Sequence, residues 1–447
     1  MDPILAILLW YTTITREVMD WYLTHTTQIL DTLHVGFQAA FDALLIVATI
    51  LAALYALIAV VVLIVRPKTE RYGYDPSRAP RVTVQIPTRN EIAALRCAEA
   101  CLRFDYPAEK VQILIGDDSD DRRVSARLSA FAKGHARVRV IRREGNDGYK
   151  AGNLNNMLQH TTGEILVVFD SDYVPGPDFL RRIATPFHDR KVVAAQARWK
   201  PINRGRSLSA ILGFAITESF HQVFLPFMHW IGGSVMLCGS AEAVRVSELK
   251  RLGGWRHGSL TEDIEYALRL HRHGHRIVYL HDLACGMEVP STPKDLYRQQ
   301  MRWAFGVVNA LREHGLAILR GRVTAARKLN TLLLFPSGYL LTTLILLLFA
   351  TGLLAFVTHP PGPFNPVLFT TETLRNISFT SGLLLTFVVG MALAGRSSLL
   401  AKLAIATFSI GLVVTYYVNL GIWRALRGGV MPWYLVKKEG NAHGRSR

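Results

Sequence analysis

The sequence predicts an α/β domain with a mostly parallel sheet, flanked by transmembrane α-helices. Three observations support this fold class: uncharged runs on both sides of a charged segment, alternating strand and helix patterns within that segment, and acidic residues at the predicted strand ends. The uncharged runs cover residues 43–65, 329–358, 376–395 and 403–423. A helix of about 20 apolar residues crosses a bilayer. We therefore predict an N-terminal part at 1–70, a central domain at 71–325 and a C-terminal membrane region at 326–447.

The first 40 residues precede the first long apolar run. Pro3 to Thr15 carries no charge, but Arg16, Glu17 and Asp20 end this stretch before it is long enough to span. No small-residue cleavage site follows a basic start, as a secretory signal would require. We predict that residues 1–40 form an amphipathic segment at the membrane interface rather than a crossing helix.

The central domain is predicted to face the cytoplasm, in a multi-pass protein of the plasma (inner) membrane. Lys and Arg are enriched in cytoplasmic segments near span ends, and such residues flank the domain at Arg66, Lys68, Arg71, Arg320, Arg322, Arg327 and Lys328. Three later spans would leave the basic tail outside. Either one later run is therefore re-entrant or interfacial, or the run around Pro336 is broken into two pieces.

The formal net charge of +17 suggests that the protein binds an anionic partner, such as nucleic acid or lipid headgroups. No aromatic-plus-basic nucleic-acid module is visible, so nucleic acid is not an expected partner. The clustering of basic residues beside the spans instead indicates anionic membrane lipids, because headgroup charge attracts such segments.

Four strands are predicted in the central domain. Residues 81–86 form an alternating β-branched run that ends at Pro87, and residues 111–115, 138–141 and 164–169 form the others. A helix follows the first strand, and helical patterns separate the rest. Alternation of strand and helix implies a mostly parallel sheet that binds ligands at the carboxyl ends of its strands.

Acidic residues stand at two of these ends. Asp117 and Asp118 follow the second strand, and Asp170 and Asp172 follow the fourth. Two carboxylates one residue apart suit a hard cation, Mg²⁺ or Mn²⁺, with diphosphate oxygens completing its shell. Such a metal neutralises charge as a nucleoside diphosphate departs. The alternative is a polar turn that caps the next helix.

Two later motifs have both structural and functional interpretations. Thr261-Glu262-Asp263 begins a helical pattern, and its residues are also good helix-capping chemistry. Gln299, Arg302 and Trp303 lie in an amphipathic helix that approaches the membrane, where Arg and Trp are common interface residues. Arg302 could equally bind a diphosphate, and Trp303 could hold a sugar ring.

The order Asp170-Ser171-Asp172, Thr261-Glu262-Asp263 and Gln299 to Trp303, with apolar runs on either side, resembles the processive family-2 glycosyltransferases. This family includes cellulose synthase-like, glucomannan synthase-like, chitin, hyaluronan and poly-N-acetylglucosamine synthases. The resemblance covers roughly residues 81–310. It implies a nucleotide-sugar-binding domain of the GT-A type and a metal-dependent hexosyltransferase.

The resemblance also implies roles for individual residues. Asp263 would be the general base, within the motif that contains Glu262 and Thr261. The nucleotide-binding residues would be Thr88, Glu91, Asp117, Asp118, Lys150 and Asp170; the acceptor and diphosphate residues would be Gln299, Arg302 and Trp303; and the metal ligands would be Asp170 and Asp172. For the loop that contains Thr88 and Glu91 a structural alternative remains, since Thr88 or Asn90 could cap the helix that follows. Gly152, beside Lys150, would permit a close backbone approach.

The implied reaction is inverting transfer from a nucleotide-diphosphate sugar to a growing β-linked polysaccharide, with assistance to its translocation. The default donor is a UDP-sugar, and GDP-mannose is the second candidate because the doublet Gln299-Gln300 resembles the glucomannan synthase-like branch. Two alternatives remain: a nonprocessive enzyme that glycosylates a membrane lipid, and a catalytically silent scaffold. Accessory export subunits would be further partners.

Overall fold

The computed structural model describes residues 3–67, 72–203, 207–232, 235–359 and 364–437. Lys68, Arg71 and the basic residues after 437, which entered the topology argument, lie outside these ranges. The strands are β1 (Val82–Thr88), β2 (Val111–Asp117), β3 (Val138–Arg142), β4 (Ile165–Val168), β5 (Val192–Pro201), β6 (Glu242–Arg245) and β7 (Arg276–Met287).

The α-helices of the described ranges are α1 (Pro3–Val65), α2 (Ala93–Leu102), α3 (Arg122–Lys133), α4 (Tyr149–Leu158), α5 (Phe179–Ala184), α6 (Leu208–Glu218), α7 (Leu225–Trp230), α8 (Val246–Arg251), α9 (Glu262–Arg272), α10 (Pro293–Arg320), α11 (Ala325–Leu329), α12 (Ser337–Val357), α13 (Pro366–Thr380), α14 (Gly382–Leu393), α15 (Leu400–Phe408) and α16 (Ile410–Leu426).

The strands form one seven-stranded sheet in the order β3–β2–β1–β4–β6–β5–β7. Only β6 runs antiparallel to its neighbours, β4 and β5, which confirms the prediction of a mostly parallel sheet. The carboxyl ends of β1, β2, β4, β5 and β7 therefore share one edge. The loop that enters β6 reaches the same edge because β6 runs in the opposite direction. All acidic motifs are thus brought to one side of the sheet.

The first strand is longer than the sequence predicts. The expected end at Pro87 is wrong, because β1 continues to Thr88 and pairs with β2 as far as Asp117. On its other side, β1 pairs with β4 only from Val82 to Gln85. Pro87 lies beyond that ladder, so its missing N–H leaves no strand partner unsatisfied.

The chain forms two compact units, residues 1–54 with 340–382 and residues 55–339 with 383–447. The three-part division at residues 70 and 325 concerns membrane and soluble parts, and it stays a prediction. Within the first helix there is no break between the predicted interfacial segment and the predicted span. Helix α1 has 63 residues, about 95 Å at 1.5 Å per residue. The interfacial location of residues 1–40 also stays a prediction.

Within the described ranges, three helices are long and apolar enough to cross a membrane: Leu9–Val65, Leu208–Trp230 and Ala325–Val357. The number rises to five if two bent pairs each count as one span, α13 with α14 (59°) and Ser397–Phe408 with α16 (54°). The apolar run around Pro336 is thus continuous, and the bends lie in the later runs. Of the two alternatives, this favours the one in which a later run is re-entrant or interfacial.

Helix Leu208–Trp230 was not among the predicted spans. It contains α6, a π-helical turn at Ser219–Phe224 and α7. The side chains of its most apolar window are 83% buried within the protein. Its apolar character is therefore explained by packing in the second unit.

The last helices of the chain belong to the second unit. Helix α16 packs against α10, where a Cβ on Gly421 would come within 2.4 Å of the Met301 carbonyl oxygen. Tyr417 of α16 stacks on Tyr297 of α10, with ring centroids 4.1 Å apart. Helix α10 carries Arg302 and Trp303, so residues beyond 400 support the position of this motif.

Candidate active site

A cleft opens at the carboxyl edge of the sheet, between the strand ends and helices α9 and α10. It encloses about 1080 Å³, part of which is open to solvent. Its lining includes most of the predicted site: Thr88, Glu91, Asp118, Lys150, Asp170, Asp172, Thr261, Glu262, Asp263, Gln299, Arg302 and Trp303. Motifs that are more than 200 residues apart in the sequence therefore meet in one place.

Asp117 is the predicted residue that does not line this cleft. Its Oδ1 accepts the Ser119 backbone N–H at 2.9 Å, and its Oδ2 pairs with Arg142 at 3.0 Å. Both oxygens thus hold the loop and the neighbouring strand. The structure separates it from Asp118, whose carboxylate reaches the cleft.

Asp118 is held by a guanidinium that the sequence analysis did not identify. Arg143 donates from Nε to Oδ1 at 2.8 Å and from Nη2 to Oδ2 at 2.7 Å. This two-point contact fixes the carboxylate plane. Arg143 follows β3 at the same sheet edge, so the argument that placed the acidic residues could also have found it.

The loop after β1 connects to the Asp170 turn. Thr88 Oγ1 donates to the Glu91 carbonyl oxygen at 3.2 Å, and Ser171 Oγ donates to Glu91 Oε2 at 2.6 Å. Neither Thr88 nor Asn90 caps α2, because the residue before that helix is Ile92 and its side chain makes no capping bond. The capping alternative is therefore wrong for both residues, and Glu91 faces the acidic turn.

Asp170 and Asp172 differ in environment. The side chain of Asp170 is 35% exposed and its Oδ1 lies 2.8 Å from Lys150 Nζ. Asp172 is fully buried, and its Oδ2 accepts the Glu288 backbone N–H at 3.1 Å. Carboxylates from Asp170, Asp172 and Glu288 line the same cleft. These donors suit a hard cation in kind, and the exposed Asp170 is the better placed to bind one.

Lys150 is the cation at the centre of the cleft. Its Nζ lies 2.8 Å from Asp170, 3.0 Å from Glu262 and 2.6 Å from the Gly239 carbonyl oxygen, to which it donates. Burial opposes its charge, but Asp170, Glu262 and Asp263 outweigh that effect and hold the pKa of Lys150 above its usual value. Nearby Gly152 has no room for a Cβ, which would lie 2.1 Å from the Asp147 carbonyl oxygen. The close backbone approach predicted at Gly152 is therefore made by another part of the protein's own backbone.

The motif at residues 261–263 begins α9 as predicted, but its side chains do not cap the helix. Thr261 is the residue before α9 and makes no side-chain capping bond. Its Oγ1 is buried and, among the described residues, has no hydrogen-bond partner. Glu262 is buried against Lys150. The capping alternative therefore does not account for Thr261 or Glu262.

Asp263 is half-buried in the cleft wall beside Gly239. Burial, followed by the charge of Glu262, raises the pKa of Asp263 to about 7, while Lys150 acts in the opposite direction. A carboxyl group with a pKa near neutral is well suited to accept a proton from a hydroxyl group.

Gln299, Arg302 and Trp303 lie on successive turns of α10. The Arg302 guanidinium stands 4.2 Å above the Trp433 ring. Within the described ranges it has no carboxylate at ion-pairing distance, and its buried Nε has no hydrogen-bond partner. Trp303 lies beside Trp199, with ring centroids 6.4 Å apart. Among the described residues, Arg302 thus presents to the cleft a cation that packs on Trp433 and feels the charges of Glu262, Asp170 and Asp263 without an ion pair at contact distance.

A segment after α16, residues 431–436, forms part of the cleft wall. Trp433, Tyr434, Leu435 and Val436 line it. Trp433 also stacks near Tyr149 at 6.0 Å, and the Tyr434 hydroxyl donates to Asp295 at 2.8 Å. From the sequence, this region is predicted only to be a basic tail. The signal in the sequence that could have identified this part of the site is a Trp-Tyr doublet outside any apolar run.

One further group of residues has metal-ligand geometry. Donor atoms of Glu265, Glu313 and His314 lie within 4.8 Å of one another. However, Arg269 pairs with Glu265 at 2.8 Å and Arg256 pairs with Glu313 at 3.1 Å. Two guanidinium groups already neutralise these carboxylates, so we assign no metal to them. The group lies outside the cleft lining.

The parallel sheet and its acidic, cation-containing edge define a transferase domain of the GT-A fold. The model of the family described as "Glycosyltransferase like family 2" matches residues 80–306, more than half of the 447 residues. The chain belongs to this glycosyltransferase family, as the resemblance predicted.

Two curated Arabidopsis thaliana proteins are similar in sequence. Probable glucomannan 4-beta-mannosyltransferase 11 is 31% identical over 278 residues, which is 57% of this chain and 60% of the relative. Probable glucomannan 4-beta-mannosyltransferase 3 is 31% identical over 264 residues, 56% of this chain and 46% of the relative. The chain therefore matches less than two thirds of the length of either relative.

One solved structure has the same fold over most of the chain. It is the mannosyltransferase PcManGT from Pyrobaculum calidifontis, in complex with GDP-Man and Mn²⁺. The TM-score is 0.58 at 20% sequence identity, with 89% of this chain and 99% of that chain covered. This likeness supports the GT-A fold class.

Proposed function

We propose that this protein is a membrane-embedded, inverting glycosyltransferase that extends a β-linked polysaccharide. It would transfer a hexosyl unit from a nucleotide-diphosphate sugar, with its catalytic domain on the cytoplasmic side of the plasma (inner) membrane. The observation that carries the proposal is the unpaired guanidinium of Arg302. A guanidinium that has no ion-pair partner within the described ranges, in a cleft with several carboxylates, is an anion site that the fold leaves open for a ligand.

The chemistry follows from the two sides of this cleft. The donor diphosphate binds between Arg302 and Lys150, and Asp118 with Thr88 and Glu91 holds the nucleoside. Asp263 takes the proton from an acceptor hydroxyl group as that oxygen bonds to the anomeric carbon. The bond from that carbon to the diphosphate oxygen breaks at the same time, and the nucleoside diphosphate leaves with the electron pair. One displacement inverts an α-linked donor to a β-linkage.

The acceptor side of the cleft is assigned to α10 and its neighbours. Trp303 offers a flat face for a sugar ring, since aromatic rings pack well against apolar sugar faces. Gln299 is buried at the same wall and supplies an amide for hydroxyl contacts. Thr261 and Glu262 complete the motif around the base, and the unpartnered Thr261 hydroxyl is free to bind ligand.

A divalent cation, Mg²⁺ or Mn²⁺, fits the donors present. Asp170 would hold it, with Asp172 close behind, and it would neutralise the charge that develops on the diphosphate. The ammonium group of Lys150 already contacts Asp170 and shares this electrostatic work. Loss of activity with a chelator, and recovery with Mg²⁺ or Mn²⁺, would test the requirement.

The donor that we propose to test first is GDP-mannose. This choice is supported by the two plant relatives, which are 31% identical to this chain and are named as probable glucomannan mannosyltransferases. A UDP-sugar, the default from the sequence, is the second candidate. We further propose that the C-terminal helices assist translocation, because α16 packs directly against the acceptor helix α10. Accessory export subunits would act with it.

The decisive experiment is a transfer assay on the full chain in lipid nanodiscs. A panel of labelled GDP- and UDP-sugars would be supplied with Mg²⁺ or Mn²⁺, and products would be resolved by size. We expect one donor to give a polymer, and the D263N variant to bind donor without transferring it. A short, lipid-extractable product would instead favour the nonprocessive enzyme. Nucleotide-sugar binding with no transfer from any donor to any glycan or lipid would support a scaffold.

A further inference from the structure

The turn at residues 238–241, which leads into β6, has an unusual backbone. Gly239 has a φ of +80°, and the next residue but one, Ala241, has a φ of +51°. A non-glycine residue at positive φ costs free energy and persists only where surrounding contacts fix it. The turn is therefore held in place by something other than its own backbone preference.

Three bonds attach this turn to motif-bearing elements. Lys150 donates to the Gly239 carbonyl oxygen at 2.6 Å, and the Asp170 backbone N–H donates to Ser240 Oγ at 2.9 Å. Trp199 Nε1 donates to the Ser240 carbonyl oxygen at 2.9 Å. The turn thus contacts the central lysine, the acidic turn and an aromatic ring of the acceptor wall.

The turn also packs against the general base. A Cβ on Gly239 would lie 3.0 Å from Asp263 Oδ2 and 3.2 Å from Lys150 Nζ. Because no larger residue fits without displacing one of these groups, the backbone of Gly239 sets the distance between the base and the lysine. A shift of the turn would move both.

The carboxyl group of Glu242 fastens this turn. It is 1% exposed, and its Oε2 accepts the Gly239 N–H at 2.8 Å and the Cys238 N–H at 3.1 Å. Gln196 Oε1 accepts the same Cys238 N–H at 2.8 Å. Glu242 does not line the cleft. Its hydrogen bonds therefore reach the site through the turn.

We propose that Glu242 is a positioning residue for glycosyl transfer, which fixes the turn at residues 238–241 so that Asp263 and Lys150 keep their places. The inference rests on the proposed function, since it assigns a purpose to the geometry of that same site. The positioning role of Glu242 requires an acceptor oxygen at the position of Oε2, and it does not require a negative charge there.

The charged groups around Glu242 support a role that depends on an acceptor oxygen and not on a negative charge. Asp263 and Glu262 face Glu242 from α9, Lys150 faces it from α4, and the Cys238 thiol lies in the turn itself. Burial, followed by the charge of Asp263, raises the pKa of Glu242, and Lys150 opposes the rise. A neutral carboxyl group and a glutamine side chain offer the same acceptor oxygen. Glutamine should therefore replace Glu242, and alanine should not.

The test compares E242A, E242Q and G239A in the full chain with the donor that the wild type uses. E248A is the matched control, because Glu248 follows the same strand but pairs with Arg251 and His275 outside the cleft. We expect E242A and G239A to lower kcat on the order of 10²-fold, as a displacement of about 1 Å of a reacting group can do. We expect E242Q to stay within about threefold of the wild type, with the acid limb of its pH profile unmoved.

The outcomes separate this inference from the proposed function. A wild type that transfers no sugar contradicts the proposed function itself. With an active wild type, equal losses in E242Q and E242A would show that a charge is needed and would overturn the positioning role. Full activity of E242A would overturn it as well. If E242A does not fold, E242D decides, since it keeps the carboxyl group but draws the acceptor oxygen back by the length of a methylene group; full activity of E242D would overturn the positioning role.

Discussion

The cleft has two walls that differ in how their polar groups are satisfied. On the sheet wall, at the ends of β2 and β4, Asp118 pairs with Arg143 and Asp170 with Lys150. On the helical wall, formed by the start of α9 and by α10, the described residues offer no partner to Thr261 Oγ1 or to Arg302 Nε.

This difference distinguishes groups that hold the fold from groups that await a ligand. Buried polar atoms without partners are costly, so proteins rarely keep them without a functional return. Paired groups on the sheet wall form a rigid platform, as the nucleoside site of the proposed reaction would require. Unpaired groups on the helical wall are available where charge moves during transfer. Substitutions on the two walls should therefore affect different measurements.

The largest effect on activity should come from the base. Asp263→Asn removes the proton acceptor, and a positioned base contributes about 10²–10⁴-fold to a rate. We expect kcat to fall by this factor while the Kd of the nucleoside diphosphate stays within about threefold, as seen by calorimetry. Retained turnover in D263N would contradict the assignment of the base.

A pair of arginine substitutions tests the contrast between walls most directly. Arg143→Gln leaves the buried Asp118 carboxylate without its partner, which costs about 3–5 kcal/mol of unfolding free energy. Arg302→Gln breaks no ion pair at contact distance, so the unfolding free energy should change by no more than its contact with Trp433 contributes, about 0.5–2 kcal/mol. Its transfer rate should nevertheless fall on the order of 10²-fold. Denaturation and transfer would be measured on both variants, and the reverse pattern would refute the comparison.

The pH dependence should report Asp263. Only its ionised form accepts a proton, and its pKa is raised to about 7. The value of kcat/KM should therefore rise about tenfold per pH unit below neutrality and level off above it. A rate profile with GDP or UDP binding measured in parallel would separate catalysis from donor affinity. A limb centred near the ordinary carboxyl pKa of about 4 would contradict the raised value.

The smallest effect should come from Trp433. Trp433→Ala removes the ring beneath the Arg302 guanidinium, a contact of about 0.5–2 kcal/mol. We expect the KM for the donor to rise from a few-fold up to about 30-fold, with little change in unfolding. Trp433→Phe keeps a ring face and should recover most of the affinity. Equal effects of both substitutions would assign the loss to packing alone.

The sequence was sufficient for four of the seven strands and for one edge of the sheet. Alternating apolar runs located β1 to β4, and parallel connectivity placed Asp118, Asp170 and Asp172 together. It could not separate Asp117 from Asp118, because neighbouring residues at a strand end point in different directions, and that direction depends on the exact last residue of the strand. The early end assigned at Pro87 came from the same uncertainty about strand length.

Other parts of the site depend on contacts that are distant in sequence. Trp433 lies far beyond Arg302 in the chain, and no periodic pattern connects them. The buried position of Glu242 follows from the antiparallel direction of β6, which a rule for alternating strands and helices does not give. The motif at residues 261–263 was ambiguous in the sequence, and the unpartnered Thr261 hydroxyl is what separates it from an ordinary helix start.

The position of residues 431–436 in the chain determines when the cleft can be completed during synthesis. They complete the cleft wall around Arg302, yet they are made only after α10, the apolar helices and α16 have left the ribosome. The early part of the central domain can form its sheet during synthesis, but the wall stays incomplete until α16 and the segment after it have been made. A chain that stops short of residue 431 would therefore have the sheet edge without a finished cleft.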